Sequence, residues 1–285
     1  MWAWMNGEFV KADELRISPF DHGFLYGLGF FETFRTYQGK PFLLEEHIER
    51  LRKALSEFRM DVELNVDVLT ATIVELNARS GGEDGYFRLN VSAGAHDIGL
   101  APSVYEKPTV ILFRKTLPPL TRGKEKSAMW LKTRRNTPES EQRYKSHHYA
   151  NNVLARLELP SLAEQEGFFL TELGHVAEGI TSNIFWVTDS VLYTPALETG
   201  ILAGITRDMV MRIAESLGII VVEGLFTADK LEAATEVFVT NAVQELVPIH
   251  RLGSSQFDGS NGLIYLKLHE HYVDQVTHTS KERYR

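Results

Sequence analysis

Two short stretches of this chain carry residues that cofactor chemistry needs. Lys145-Ser-His-His-Tyr-Ala-Asn-Asn152 sets a lysine ahead of a helical pattern, and His175-Val-Ala-Glu-Gly-Ile-Thr-Ser-Asn-Ile-Phe185 sets a glutamate in a Gly-rich strand turn. A lysine amine attacks a carbonyl usefully only when burial or neighbouring positive charge lowers its pKa. Lys145 follows Arg143 and precedes an apolar helix, which is compatible with that condition. Glu178 precedes Gly179, where the lack of a Cβ lets the backbone approach a flat ligand. A carboxylate set against a pyridine nitrogen keeps that nitrogen protonated, so that the ring can accept electrons. Singly, each residue reads as a solvated loop lysine or a surface-turn glutamate. Together they supply the amine and the carboxylate that pyridoxal phosphate requires.

A phosphate needs donors. Leu202-Ala-Gly-Ile-Thr-Arg-Asp208 runs into a helical pattern beginning at Thr206, and free amides at a helix N-terminus bind anions. Gly204, Ile205 and Thr206 would offer their N–H groups; an ordinary N-cap is the competing reading. Arg50, off the apolar stripe of its helix, could reach the same phosphate as a planar fork. Ser182 and Asn183 add a hydroxyl and an amide beside Glu178, though such residues also cap turns.

These groups must be positioned by 285 residues, enough for two domains. Trp2 to Val10 reads as a hairpin on an Asn6-Gly7 turn, and Phe30 to Tyr37 as a strand ending at Gln38-Gly39. The period then changes, Ile48, Leu51, Leu55 and Phe58 sharing a helical face between Leu44 and Met60. A second helix over 66–80 and strands over 85–93 and 109–114 complete an N-terminal small domain, 1–116. Leu117-Pro-Pro-Leu-Thr-Arg-Gly123 marks an interdomain linker, 117–124, ahead of a C-terminal domain, 125–285. In that domain strands are expected over 128–133, 167–171, 184–187, 191–194 and 236–240, and helices over 149–159, 206–217, 227–234 and 262–277.

The net charge of -8 argues against a nucleic-acid or anionic-membrane partner, so an anionic ligand must be held by local positive groups. The absence of Cys removes disulfides, thiolate metal sites and Cys nucleophiles. With neither a basic-then-apolar N-terminus nor 18 uninterrupted apolar residues, a cytoplasmic protein is expected. His147-His148 and His269-Glu-His271 have poor spacing for a metal, and none is predicted. Gly27-Leu-Gly-Phe-Phe-Glu32 lacks the third Gly of a dinucleotide loop.

From Asn6-Gly7 to about Leu252 the chain resembles the class IV aminotransferase family, the fold-type IV pyridoxal phosphate enzymes. The ordered motifs are Asp21-His-Gly-Phe-Leu-Tyr-Gly27, Phe31-Glu-Thr33, Glu46-His-Ile-Glu-Arg-Leu51, the Lys145 segment, Ala177-Glu-Gly179 and Gly204-Ile-Thr-Arg207. The resemblance implies an α+β, two-domain, D-amino-acid aminotransferase-like fold, with a small N-terminal α/β sandwich and a larger C-terminal mixed β/α domain. It implies Lys145 as the Schiff-base lysine, Glu178 as the pyridine partner, Arg50, Ile205 and Thr206 at the phosphate, and a homodimer. Tyr149 would sit near the cofactor, or only anchor its helix.

The same comparison bears on the substrate. Gly94-Ala-His-Asp-Ile-Gly99 lacks the Arg-x-His pair of D-amino-acid aminotransferases, and Val239-Thr-Asn-Ala-Val-Gln-Glu245 lacks the Gly-Thr-Ala run of branched-chain enzymes. Thr240-Asn241 and Arg134-Arg-Asn-Thr-Pro-Glu139 resemble instead the aminodeoxychorismate lyases of Bacillus-like bacteria. Ala242 stands where relatives often carry a phosphate-binding Ser or Thr. Arg88 matches an arginine that binds substrate carboxylate in branched-chain relatives, and Tyr26, Thr33 and Asn241 complete the expected pocket. The expected reaction is PLP-dependent elimination of pyruvate from 4-amino-4-deoxychorismate to give 4-aminobenzoate for folate biosynthesis. The alternatives are a D-amino-acid or branched-chain aminotransferase and a phospholigand-binding module without chemistry.

Overall fold

In a computed structural model of the chain, residues 1–82, 84–100, 104–117 and 120–281 are described, with side chains described as far as residue 277. The chain packs as two compact units. One comprises Met1–Pro119, Tyr144–His148 and Val276–Arg285; the other comprises Leu120–Arg143 and Tyr149–Gln275.

The first unit opens with strands β1 (Trp2–Met5) and β2 (Glu8–Lys11). Asn6 and Gly7 between them both take positive φ, 47° and 101°, the geometry that a two-residue hairpin requires. A one-turn helix α1 (His22–Leu25) follows, capped by the Asp21 carboxylate at Gly23 N–H, 2.7 Å. Then come β3 (Gly29–Tyr37), β4 (Lys40–Pro41), α2 (Leu44–Glu57), α3 (Val66–Arg79), β5 (Gly85–Ser92) and β6 (Thr109–Thr116). The strands form one antiparallel sheet in the order β2-β1-β6-β5-β3-β4.

Side-chain alternation gives this sheet two different faces. Phe30 and Phe34 on β3 and Phe87, Leu89 and Val91 on β5 share a face, packed in one core with Ile48, Leu51 and Leu55 of α2 and Leu69, Ile73 and Leu76 of α3. The intervening residues form the other face. The register sets Gly29 opposite Ser92, Phe31 opposite Asn90 and Thr33 opposite Arg88.

The second unit contains β7 (Lys126–Trp130), α4 (Ala150–Leu157), β8 (Gln165–Leu170), β9 (Val176–Gly179), β10 (Asn183–Thr188), β11 (Val191–Pro195) and α5 (Ile205–Ser216). After these come β12 (Val221–Gly224), α6 (Ala228–Glu232), β13 (Glu236–Asn241), β14 (Glu245–Leu252), β15 (Ser255–Gln256) and α7 (Leu263–Lys281). The sheet is mixed, ordered β12-β11-β10-β13-β14-β7-β8-β9 with β15 on β14. Its parallel pairs are β11/β12, β14/β7 and β7/β8. Phe168, Trp186, Val237, Val239 and Ile249 anchor one core of the unit.

Besides the short α1, β4 and β15, the strands β9, β12 and β14 escape the sequence pattern, and β9 replaces the expected turn around Glu178. Val176–Gly179 is wholly buried and β14 carries a run of five buried residues, so neither shows the alternation that marks a half-exposed strand. Among the described residues, no helix is long and apolar enough to cross a membrane.

Candidate active site

In the first unit, residues 145–147 lie antiparallel to the start of β3. Phe31 N–H donates to Lys145 O at 2.8 Å, His147 N–H to Gly29 O at 2.8 Å, and Ser146 bridges Phe30. Alternation then puts Lys145 and His147 on the side of Phe31, opposite the helix-packed core. Lys145 Nζ lies 4.8 Å from the Phe31 ring centroid and the Arg88 guanidinium carbon 3.5 Å from it. Thr33 lies across from Arg88, and Arg88 Nε donates to Asn90 Oδ1 at 3.0 Å. Lys145, Arg88 and Thr33 thus share one sheet face, with Lys145 and Arg88 against one aromatic ring.

Arg50 is held from the core side. Its Nε and Nη2 donate to the two oxygens of Glu32, each at 2.7 Å, and His47 Nδ1 approaches Glu32 Oε2 at 2.6 Å. The bidentate edge that the sequence reading assigned to phosphate is therefore turned toward a carboxylate. Burial by itself would push the Glu32 carboxyl up, but Arg50 and then His47 outweigh it and hold its pKa at about 2.

This depressed value links the triad to acid stability. The stabilisation, on the order of 3 kcal/mol, is complete above the ordinary carboxylate pKa of 4.5 and is lost as pH falls toward 2. Urea unfolding should show no extra pH dependence from this group above about pH 4.5, and between pH 4.5 and pH 3 the wild type should lose stability with a slope approaching one proton steeper than Glu32→Gln. Equal slopes would refute the assignment.

Tyr26 caps α1, and its hydroxyl accepts the Gly99 N–H at 2.7 Å. It braces the loop after β5, a role that the sequence did not suggest.

In the second unit, Glu178 lies near the end of β9 and is buried. Arg135 Nε donates to its Oε1 at 2.7 Å and Leu202 N–H to its Oε2 at 3.0 Å. Arg135 is itself buried and also donates from Nη1 to Asn151 Oδ1 at 2.7 Å. Arg143 Nε lies 3.9 Å from Glu178 Oε1. Burial and then the neighbouring Arg135 pull Arg143 down to about 10.

Leu202 lies two residues before Gly204, the N-cap of α5, so its bond to Glu178 sets this carboxylate near the helix start, and its carbonyl accepts from Asn183 Nδ2, at the start of β10, at 2.9 Å. A Cβ on Gly204 would sit 1.9 Å from Asn183 Oδ1, and one on Gly179 2.1 Å from Ser182 Oγ. A side chain at Gly204 would have to displace the Asn183 amide, which Leu202 O holds, and one at Gly179 would have to turn the Ser182 hydroxyl aside. Gly204 is the N-cap of α5, with no side chain capping the first turn that Ile205 and Thr206 begin. Thr206 is buried beside it, and Thr240 Oγ1 is buried with no hydrogen-bond partner among the described residues.

Two expected residues have other local work. Asn241 Oδ1 accepts from Val243 N–H at 3.0 Å and Gln244 N–H at 2.8 Å, so its carbonyl shapes the turn from β13 to β14. Tyr149 is the N-cap residue of α4, its carbonyl accepting from Val153 N–H at 3.0 Å. The sequence reading missed Arg135, Glu32 and His47. All three stand inside the motifs that carry the resemblance, but only the fold shows that Arg135 meets Glu178 and that His47 meets Glu32.

Residues 29–252 match the model of the family described as amino-transferase class IV. The chain is 41% identical over 261 residues to the aminodeoxychorismate lyase of Bacillus subtilis (strain 168), covering 91% of this chain and 89% of that protein. It is 36% identical over 276 residues to a putative branched-chain-amino-acid aminotransferase of Methanocaldococcus jannaschii, covering 96% of each. The branched-chain amino acid aminotransferase of T.th., solved with N-(5'-phosphopyridoxyl)-L-glutamate, superposes with a TM-score of 0.87 at 31% identity, over 99% of this chain and 95% of that one.

Proposed function

We propose that this chain, which belongs to the class IV aminotransferase family, is a pyridoxal phosphate enzyme that eliminates pyruvate from 4-amino-4-deoxychorismate and leaves 4-aminobenzoate. The observation that carries the cofactor is the second unit's own geometry. An uncapped 12-residue helix start at Gly204 to Thr206, the orphaned Thr240 Oγ1, and the Glu178 carboxylate tied to that helix start through Leu202 fit a phosphorylated pyridine. When bound, that group supplies an electron sink for a carbanion formed beside the substrate nitrogen. The similarity to the B. subtilis lyase supports the substrate.

Each residue then has a defined task. Glu178 holds a proton at the pyridine nitrogen, while Arg135 and Leu202 N–H fix its two oxygens. The first turn of α5 and Thr206 would bind phosphate; Arg50, proposed from its motif as a further phosphate ligand, keeps its bidentate edge on Glu32. Lys145 Nζ would provide the amine that holds the cofactor and would serve as the base for the proton on the substrate carbon bearing nitrogen. Arg88 binds a substrate carboxylate, with Thr33 across from it. Asn241 keeps its carbonyl in the turn and one Nδ2 hydrogen on Gln244 Oε1, and would donate the other Nδ2 hydrogen to substrate. The protein acts in the cytoplasm as a homodimer.

The test compares reactions. Purified protein should release aminobenzoate and pyruvate from aminodeoxychorismate and be slow in transaminating D-alanine or leucine with 2-oxoglutarate. The reverse pattern would leave the aminotransferase standing. Asn241→Ala should lower lyase efficiency about 10- to 100-fold with cofactor absorbance unchanged. Full efficiency would remove Asn241 from the substrate site.

A further inference from the structure

We propose that His147 is a substrate-binding residue, completing with Arg88 a subsite for the ring carboxylate of an aromatic or cyclohexadienyl acid. This inference rests on the preceding reading for the place of the substrate, since it assigns a further group to that same site.

Three observations carry it. His147 is two residues beyond Lys145 in a segment paired strand-fashion with β3, so the two side chains share a side. Its ring lies stacked on Phe31, centroids 6.3 Å apart and planes 28° apart, on the aromatic side chain that also carries Arg88 and Lys145. Finally, its two nitrogens are unequal. A Cβ on Gly29 would lie 2.4 Å from His147 Nδ1 and Cε1, so that edge rests on the glycine backbone. Nε2 is buried and has no hydrogen-bond partner among the described residues.

A buried polar atom without a partner is costly unless something satisfies it, and here the adjoining charge is the Arg88 guanidinium. Burial, then Arg88, lowers the imidazole pKa to about 4, against a smaller opposing influence of Asp21, with His148 adding to the lowering. The ring is therefore neutral near pH 7 and offers a hydrogen bond without adding a second fixed positive charge. A carboxylate fits this pairing: it takes a charge-assisted bond from the arginine and a directional one from the imidazole. An aliphatic side chain would leave the imidazole nitrogen unsatisfied, which favours an anionic ring by exclusion as well as by attraction.

The experiment titrates the holoenzyme with 4-aminobenzoate and with aniline, which has the same ring and amine but no carboxylate. In His147→Leu the Kd for 4-aminobenzoate should rise roughly 10- to 100-fold, whereas that for aniline should change less than about threefold. His147→Gln, which keeps a donor, should recover part of the loss, and Arg88→Leu should show the same selectivity for the carboxylate. Cofactor absorbance should stay at the wild-type value in all three. Equal weakening of both ligands, no weakening of either, or Gln no better than Leu would overturn the assignment. Should His147→Leu fail to fold, the His147→Gln and Arg88→Leu titrations still decide it. An enzyme that releases no aminobenzoate from aminodeoxychorismate would defeat the lyase reading, whereas the carboxylate-against-hydrogen comparison would still test His147.

Discussion

Lys145→Ala should lose turnover by at least roughly 10²- to 10⁴-fold while the protein keeps its fold, because a positioned proton-transfer group of this kind contributes about that much to rate. In the proposed role the covalent anchor of the cofactor would be lost with it, which sets the expected effect toward the upper end of that range or beyond. The backbone at this position contributes through Lys145 O, which accepts from Phe31 N–H, and alanine preserves that bond. The loss is therefore chemical, and thermal unfolding should change little. Borohydride reduction of the wild type should fix the cofactor on the peptide containing Lys145. A Lys145→Ala protein that is yellow, reducible at another lysine and fully active would move the anchor elsewhere.

The second large effect is expected at Glu178, where chemistry and stability are linked through Arg135. In Glu178→Gln, Arg135 remains buried but loses its anionic partner at 2.7 Å. Breaking a buried ion pair by neutralising one member costs roughly 3–5 kcal/mol, because the remaining charge is left desolvated. The folded, cofactor-loaded mutant should also turn over about 10²- to 10³-fold more slowly, since an amide does not hold the pyridine nitrogen protonated as a carboxylate does. A Glu178→Gln/Arg135→Met double variant separates the two losses. Removing the orphaned charge should restore much of the stability and none of the turnover. Recovery of turnover in the double variant, or wild-type turnover in the single one, would show that Glu178 is a structural partner of Arg135 and no more.

The sequence determined a good deal here, because much of it is written in local spacing. The Asn6-Gly7 turn, the 3.6-residue stripe of α2, and the change to alternation in β3 and β5 each follow from interactions over a few residues. The family match over residues 29–252 and the helix start at Gly204 to Thr206 were legible for the same reason, as ordered motifs and an N-cap pattern. Buried β9 and β14 were not legible, since strands enclosed on both faces lose the alternation that betrays them.

The partners of charged side chains were decided by tertiary structure alone. Arg50 looked from its helix like a phosphate fork, yet its bidentate edge meets Glu32, 18 residues away on a strand. Arg135 meets Glu178 across 43 residues, and Asn241 spends its carbonyl on its own turn. Residue type states what a group can bond to. Which of several competent partners it meets depends on desolvation and on sheet register, and a register is fixed only when distant strands pair. That pairing brings Arg88 and His147 onto the Phe31 ring beside Lys145.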